Sequence, residues 1–165
     1  MAGASLTGPA PDRSAYARAG RYGHAQTEFG SWLEPPVASL TLNIDLDGSL
    51  LADGAPLPAA WVGGLGDTYA VVGVGPLYGS IDLKLNPLGA YSLLGMPLSE
   101  LAGSCVSLAD VFGPSGTQLA IRLRELTAWD ERFDVLEAFL LARLAVGAVP
   151  DPAVAWAWRR LHETG

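Results

Sequence analysis

The side chains that could carry out acid–base or metal chemistry are few and far apart in this sequence. The two histidines, His24 and His162, stand near opposite ends of the 165-residue chain. Neither belongs to a His-x-His or Glu-x-x-His spacing, which would set two metal ligands on one face of a strand or helix. We therefore predict no metal site and a structural or surface role for both imidazoles.

Cys105 is the only cysteine, so it can form neither an internal disulfide nor a thiolate zinc cluster. It lies in a segment that we predict to be a buried connection, where a cysteine acts as a small apolar side chain. A nucleophilic cysteine needs a neighbouring base, and the sequence supplies none. A lone thiol suits a reducing compartment, so we expect a cytoplasmic protein.

Three other patterns superficially resemble functional loops. Residues 113–116 differ by one residue from the Gly-x-Ser-x-Gly elbow and are interpreted as a helix cap. The glycines of 73–79 precede an alternating strand, whereas a dinucleotide loop must open a helix. Asp45, Asp47 and Asp53 lack the other oxygen ligands of a calcium loop and are predicted to be turn and solvent-face residues. We predict no catalytic residue, no enzyme activity and no cofactor.

Composition places the chain among globular proteins. Half of the residues are hydrophobic and 16% are charged, which is enough apolar material for a sizeable core. The net charge of −7 is opposite to that of nucleic-acid-binding surfaces. No apolar run approaches the roughly 18 residues of a membrane helix, so no membrane partner is expected. Residues 1–20 lack the features of a secretory signal and are predicted to be a mobile arm.

The first half of the chain has the pattern of an antiparallel β structure. Apolar and polar residues alternate over 38–46, which is typical of a strand with one buried face. Asp47-Gly48 predicts a hairpin after this strand, and Asp53-Gly54 predicts a second turn. Further strands are predicted over 61–62, 69–74 and 80–85. We predict that residues 21–86 form a small antiparallel sandwich or partial barrel, for which a cupin-like arrangement is one option.

The hydrophobic period changes to that of helices after this β-rich part. Asn86 is a good N-cap, and Gly95 is predicted to end the helix that it starts. Further helix starts are predicted at Ser107, Ser115 and Asp151, and another is predicted near Thr127. The predicted fold class is therefore α+β, with a helical part over 87–147 and a linker with a last helix over 148–165.

Large aromatic residues in the β-rich part suggest a ligand site. Trp61, Tyr69 and Tyr78 lie among many glycines, and aromatic side chains in such a setting can line a pocket for a small apolar or aromatic effector. The alternative interpretation is that they form core and cross-strand packing.

The long helix of the second half carries a broad apolar band. Phe139, Leu140 and Leu144 belong to that band, which is wider than one packing face requires. We predict that these residues contribute to a homodimer interface. Packing of the whole band inside one chain is the alternative.

Several segments, taken in order, resemble the N-terminal half of bacterial AraC/XylS-type transcription regulators. They are the run 86–101, the step 106–113, the helical stretch 136–144 and the segment 150–161, with the hairpin over 40–50 before them. Together they cover about residues 30–165. The resemblance implies an effector-sensing and/or dimerisation domain.

In such regulators, two helix-turn-helix units at the C-terminal end read DNA. Residues 148–165 resemble a linker and the first helix of that module, so DNA binding is expected only through recognition helices beyond this chain. A stand-alone small-molecule-binding α+β protein, an uncharacterised enzyme and a plain dimerisation module are the alternatives. A cavity in the β-rich part would favour sensing over the plain dimerisation module.

Overall fold

The computed structural model describes residues 20–27, 30–47, 50–74 and 78–164. The strands are β1 (Gly20–Thr27), β2 (Gly30–Glu34), β3 (Leu40–Asp47), β4 (Leu50–Ala52), β5 (Ala55–Pro56), β6 (Ala60–Gly63), β7 (Ala70–Val74), β8 (Tyr78–Leu85) and β9 (Cys105–Ser107). The helices are α1 (Pro87–Leu94), α2 (Leu108–Phe112), α3 (Pro114–Glu125), α4 (Trp129–Ala145) and α5 (Pro152–Thr164), and Leu98–Leu101 form a 3₁₀ turn. Apart from Gly20, the predicted arm over 1–20 lies outside the described residues.

The strands form two antiparallel sheets. One has five strands in the order β1-β8-β3-β6-β9, and the other has four in the order β2-β7-β4-β5. Helices follow the eighth strand, and only the short β9 returns to the first sheet. The α+β class predicted from the change of hydrophobic period is therefore confirmed.

One face of the five-stranded sheet packs against the helices and forms the main core. This core holds, from the sheet, Leu40, Leu42, Ile44, Val62, Ile81, Leu83 and Leu85. From the helices it holds residues that include Leu93, Leu108, Leu119, Leu123, Leu136 and Leu140. The alternation of apolar residues in β3 and β8 produces this face, because every second side chain of a strand points the same way.

The hairpin predicted over 40–50 is wrong. Strand β3 pairs with β6 on one side and with β8 on the other, so neither of its edges is free for β4. Strand β4 lies in the second sheet, between β5 and β7. The two-residue turn is instead at Asp53-Gly54, which joins β4 to β5 with φ of 49° and 81°, as a type I′ turn requires.

Most helix starts follow the predicted caps. The Asn86 side chain accepts the Gly89 N–H at 2.8 Å, and Gly95 ends α1 in the left-handed region. Ser107 caps α2 in the same way. The cap predicted at Ser115 is wrong, because α3 begins at Pro114 and the Ser115 hydroxyl donates to the carbonyl of Phe112, the last residue of α2.

Candidate ligand-binding site

The two sheets enclose an open cavity of about 350 Å³. The polar face of the five-stranded sheet forms its floor, and strands β2, β4 and β7 form the opposite wall. Loop residues from 64–69 and the turn before β9 contribute to the rim. The volume is at the lower end of the range for small-molecule sites, roughly 300–1,000 Å³.

The register of the sheet places the polar side chains of the floor side by side. Thr41 on β3 pairs with Lys84 on β8. Asn43 pairs with Asp82 two residues further along. Directly paired residues point to the same face of a sheet, so these four side chains form one polar patch, and all four line the cavity.

Lys84 connects the two sheets across one side of the cavity. Its Nζ donates to Thr41 Oγ1 at 2.8 Å and lies 3.8 Å from Oε1 of Glu34, which belongs to the opposite sheet. The other Glu34 oxygen accepts a hydrogen bond from Trp32 Nε1 at 3.0 Å. Because both charged side chains are partly exposed, the ion pair adds little stability. Its contacts position the Lys84 ammonium and the Glu34 carboxylate at this side of the cavity.

Asp82 is the most deeply set carboxyl group of the cavity. Loss of hydration raises its pKa, and the Glu34 charge acts in the same direction, while Lys84 and a hydrogen bond from Asn43 lower it by less. No cationic side chain of the described residues lies within ion-pair distance of Asp82. A positive charge placed beside it would therefore stabilise the ionised carboxylate.

Trp61 both lines the cavity and belongs to a small second core. It is 8% exposed and packs with Leu50 and Val74 of the opposite sheet. Gly63 lies two residues along the same face of β6, and a Cβ there would stand 2.8 Å from Trp61 Cζ3. The glycine therefore lets the indole lie across its own strand, so Trp61 fits both the pocket and the packing interpretation.

The other predicted aromatic residues have different positions. Tyr69 lines the cavity and is 62% exposed, which places it at the mouth. Tyr78 is the first residue of β8, and its side chain lies outside what the structure describes. Trp32, which the sequence did not single out, also lines the cavity. The structure therefore brings Trp61 and Tyr69 to one cavity and adds Trp32.

The rim beside β9 depends on a close backbone approach. A Cβ at Gly64 would overlap the backbone carbonyl of Leu101, and the Gly64 N–H donates to the Ser104 carbonyl at 2.9 Å. In return, the Gly103 N–H donates to the Leu65 carbonyl at 2.8 Å. Only glycine permits this contact, which fixes the turn before β9 against the cavity.

Cys105 is exposed in the edge strand β9, so the predicted buried connection is wrong. The strand pairs only with β6 among the described residues, which leaves its other edge uncovered. Although the residue is exposed overall, partial burial of the thiol raises its pKa. The thiol lines the cavity but lacks the lowered pKa of a reactive cysteine.

The predicted solvent-facing position of Asp45 is also wrong. Asp45 is 2% exposed, because the second sheet covers the polar side of β3. The same assumption hid the candidate site residues Asn43, Asp82 and Lys84, which occupy the polar positions of alternating strands. The sequence does contain a pattern that could have identified them. Apolar and polar residues alternate in both 39–45 and 80–84, so pairing of these two segments would bring their polar side chains together on one face.

The predicted interface residues are buried in the core or half-buried against it. Leu140 is 1% exposed inside a single chain. Phe139 and Leu144 are half-buried against the same core, and Phe139 meets Phe112 edge to face with ring centroids 5.3 Å apart. Leu141 faces outward on α4 and is 40% exposed. Intrachain packing thus accounts for Leu140, whereas Leu141 is accessible.

Two kinds of feature are absent from the part of the chain that the structure describes. No three His, Cys, Asp or Glu side chains in that part of the chain are grouped so that they could hold a metal ion. Within the same residues, no helix combines the length and apolar character needed to cross a membrane.

The chain matches no protein-family model and no curated protein. The resemblance to AraC/XylS-type regulators therefore stays a prediction, and the function is argued from the cavity.

Proposed function

We propose that this chain is the effector-sensing and dimerising domain of an AraC/XylS-type transcription regulator. The observation that supports this best is the cavity of about 350 Å³ between the two sheets, which lies in the part that the resemblance assigns to sensing. A module that only dimerises has no use for such a cavity. The effector is a small molecule with an apolar or aromatic body, held by Trp61 and Tyr69.

Contacts between the cavity floor and the helices provide a path for a signal. Arg124 of α3 donates from Nε to the Asp45 carbonyl at 2.8 Å and from Nη2 to the Ala59 carbonyl at 2.6 Å. Arg132 of α4 in turn donates to the Leu123 carbonyl of α3 at 3.0 Å. A ligand that moves β3 would therefore displace α3 and, through it, α4.

In this role the domain works in the cytoplasm without catalysis. DNA is contacted through the recognition helices of the helix-turn-helix module, of which residues 148–165 resemble the linker and the first helix. The net charge of −7 opposes the phosphate backbone, so this chain alone should give no sequence-selective shift of duplex DNA in a gel. A selective, salt-sensitive shift would contradict this assignment.

Ligand binding is tested by thermal unfolding in the presence of a collection of small aromatic compounds. A compound at about 100 times its Kd stabilises the folded state by roughly 2.7 kcal/mol. Ala52→Phe places a ring at the cavity wall and should abolish the stabilisation, whereas Ala109→Phe, at an exposed position of α2, should keep it. Binding that survives Ala52→Phe, or no binding by any compound, would contradict the proposal.

Dimer formation is tested separately by sedimentation velocity at micromolar concentration. We expect a dimer that uses the outward side of α4, where Leu141 is exposed. Leu141→Glu should shift the chain to monomer because it places a charge in an apolar contact. Gln118→Glu adds the same charge to an exposed position of α3 and should leave the dimer intact. A monomer at every concentration would contradict the dimerising role and leave effector sensing as the only proposed function.

A further inference from the structure

The described residues that line the cavity carry an excess of negative charge. Its lining residues include three carboxyl side chains, Glu34, Asp53 and Asp82, and one cationic side chain, Lys84, among those that the structure describes. Of these carboxyl groups, Asp82 is the one that burial desolvates, and water screens charge less in such a recess than on an open surface. Such a site attracts cations and repels anions.

Two of the three carboxylates already have direct partners at the cavity. Glu34 faces the Lys84 ammonium and accepts the Trp32 indole N–H. Asp53 Oδ1 accepts the backbone N–H of Val71 at 2.9 Å. These contacts fix the two carboxylates and engage Lys84, the cationic side chain of the described lining.

Asp82 is compensated less than the other two. Its neighbours on the floor are Asn43, which donates a hydrogen bond, and Lys84, whose Nζ is committed to Thr41 and Glu34. Burial removes water from the Asp82 carboxyl group, yet the residue lines the cavity and can meet a ligand there. A ligand cation would supply the missing compensation.

Aromatic rings lie in the same cavity. Trp32, Trp61 and Tyr69 all contribute to its lining. The face of an aromatic ring attracts a cation within about 6 Å, most strongly when the ring is a tryptophan. A carboxylate on the floor together with aromatic walls is therefore suited to an organic cation, since the rings also contact the apolar body of the ligand.

We propose that the cavity binds a small organic cation, an ammonium group on an apolar or aromatic body, and that Asp82 pairs with its charge. This inference rests on the proposed sensing function and adds the chemical class of the effector. A carboxylate ligand would approach three carboxylates and an already engaged ammonium. A neutral ligand would leave Asp82 under-compensated.

Three probes with the same aromatic body and different charge test the inference: phenethylamine, 2-phenylethanol and 3-phenylpropanoate. Each is titrated into the protein while backbone amide shifts are recorded by NMR. The amine should bind with a Kd of about 1 mM, a reasonable affinity for nine heavy atoms. It should bind at least about tenfold more tightly than the alcohol or the acid, because a charge-assisted hydrogen bond distinguishes it.

Variants then locate the charge recognition. Asp82→Asn keeps the shape of the side chain and should remove the preference for the amine, while binding of the alcohol stays unchanged. Asp134→Asn removes the same charge from an exposed position of α4 and should keep the preference. Tyr69→Leu, at the mouth, gives a second variant that should weaken the amine more than the alcohol.

The outcomes separate the two proposals. If the alcohol or the acid binds as tightly as the amine, or if Asp82→Asn keeps the preference, the cation inference fails while small-molecule sensing stands. If none of the three probes shifts the amides of the cavity, the cation inference fails, and failure of the whole compound collection in thermal unfolding then removes sensing as well.

Discussion

The two faces of the five-stranded sheet use the same strands for opposite purposes. On β3, Leu40, Leu42 and Ile44 are fully buried against the helices, whereas Thr41 and Asn43 face the second sheet across an open cavity. Apolar burial stabilises a fold, but burial of polar groups contributes little once they leave water. The comparison indicates that one face maintains the fold and that the other is available for recognition.

Neighbouring residues on β3 should show the largest difference between the faces. Leu42→Ala removes a fully buried side chain from the core and should lower the free energy of unfolding by about 2–5 kcal/mol. Thr41→Ala removes one hydrogen bond with Lys84 and should cost about 0.5–1.5 kcal/mol. Urea unfolding of both variants measures the difference. Equal decreases in the free energy of unfolding would contradict the claim that the two faces have different roles.

A pair of glycines tests the rim on the cavity side. Gly64→Ala brings a methyl group against the Leu101 carbonyl and should lower stability by about 1–3 kcal/mol, as overpacking does. Gly66 also lines the cavity, but a Cβ there meets nothing within 4 Å. Gly66→Ala should therefore have little effect in the same unfolding experiment. If Gly64→Ala were equally harmless, the turn before β9 would not be fixed by this contact.

The smallest effect concerns the pH dependence of stability. Asp82 has a pKa raised above its ordinary value of 3.8 by burial, with Glu34, Lys84 and Asn43 around it. A carboxyl group whose pKa is higher in the folded state than in the unfolded state stabilises the fold fully at pH values below its unfolded-state pKa. This contribution is lost as the pH rises through the folded-state pKa. Asp82→Asn cannot ionise, so it should gain stability relative to wild type between about pH 3.5 and pH 7. Urea unfolding at both pH values measures this, and a relative loss would contradict the direction.

The sequence predicts the apolar face of the sheet well and the polar face poorly. Alternation in 38–46 and 80–85 identified which side chains enter the core, because burial of every second residue is a local pattern. Whether water or a second sheet covers the other side is a property of the whole fold. Asp45 and Asp82 were therefore not recognised as interior residues, although their positions on the strands were evident.

Turns and caps show the same limit. Asn86, Gly95 and Asp53-Gly54 act through their own backbone and were predicted correctly. The Asp47-Gly48 signal was equally strong, but β3 already has partners on both edges. Local turn chemistry cannot reveal that competition between strands, so the predicted hairpin failed while the strand itself was right.

Mapping of a bound cation onto the backbone tests the central claim most directly. In a titration of the wild-type chain with phenethylamine, the amide shifts should concentrate in β2, β3, β8 and the loop 64–69, around Asp82. Smaller shifts should follow in α3 and α4 through the contacts of Arg124 and Arg132. The whole of α5 should stay unchanged, because it does not contribute to the cavity. Shifts centred on α4 or α5, or scattered over the surface without saturation, would contradict the assignment of the polar face as a ligand site.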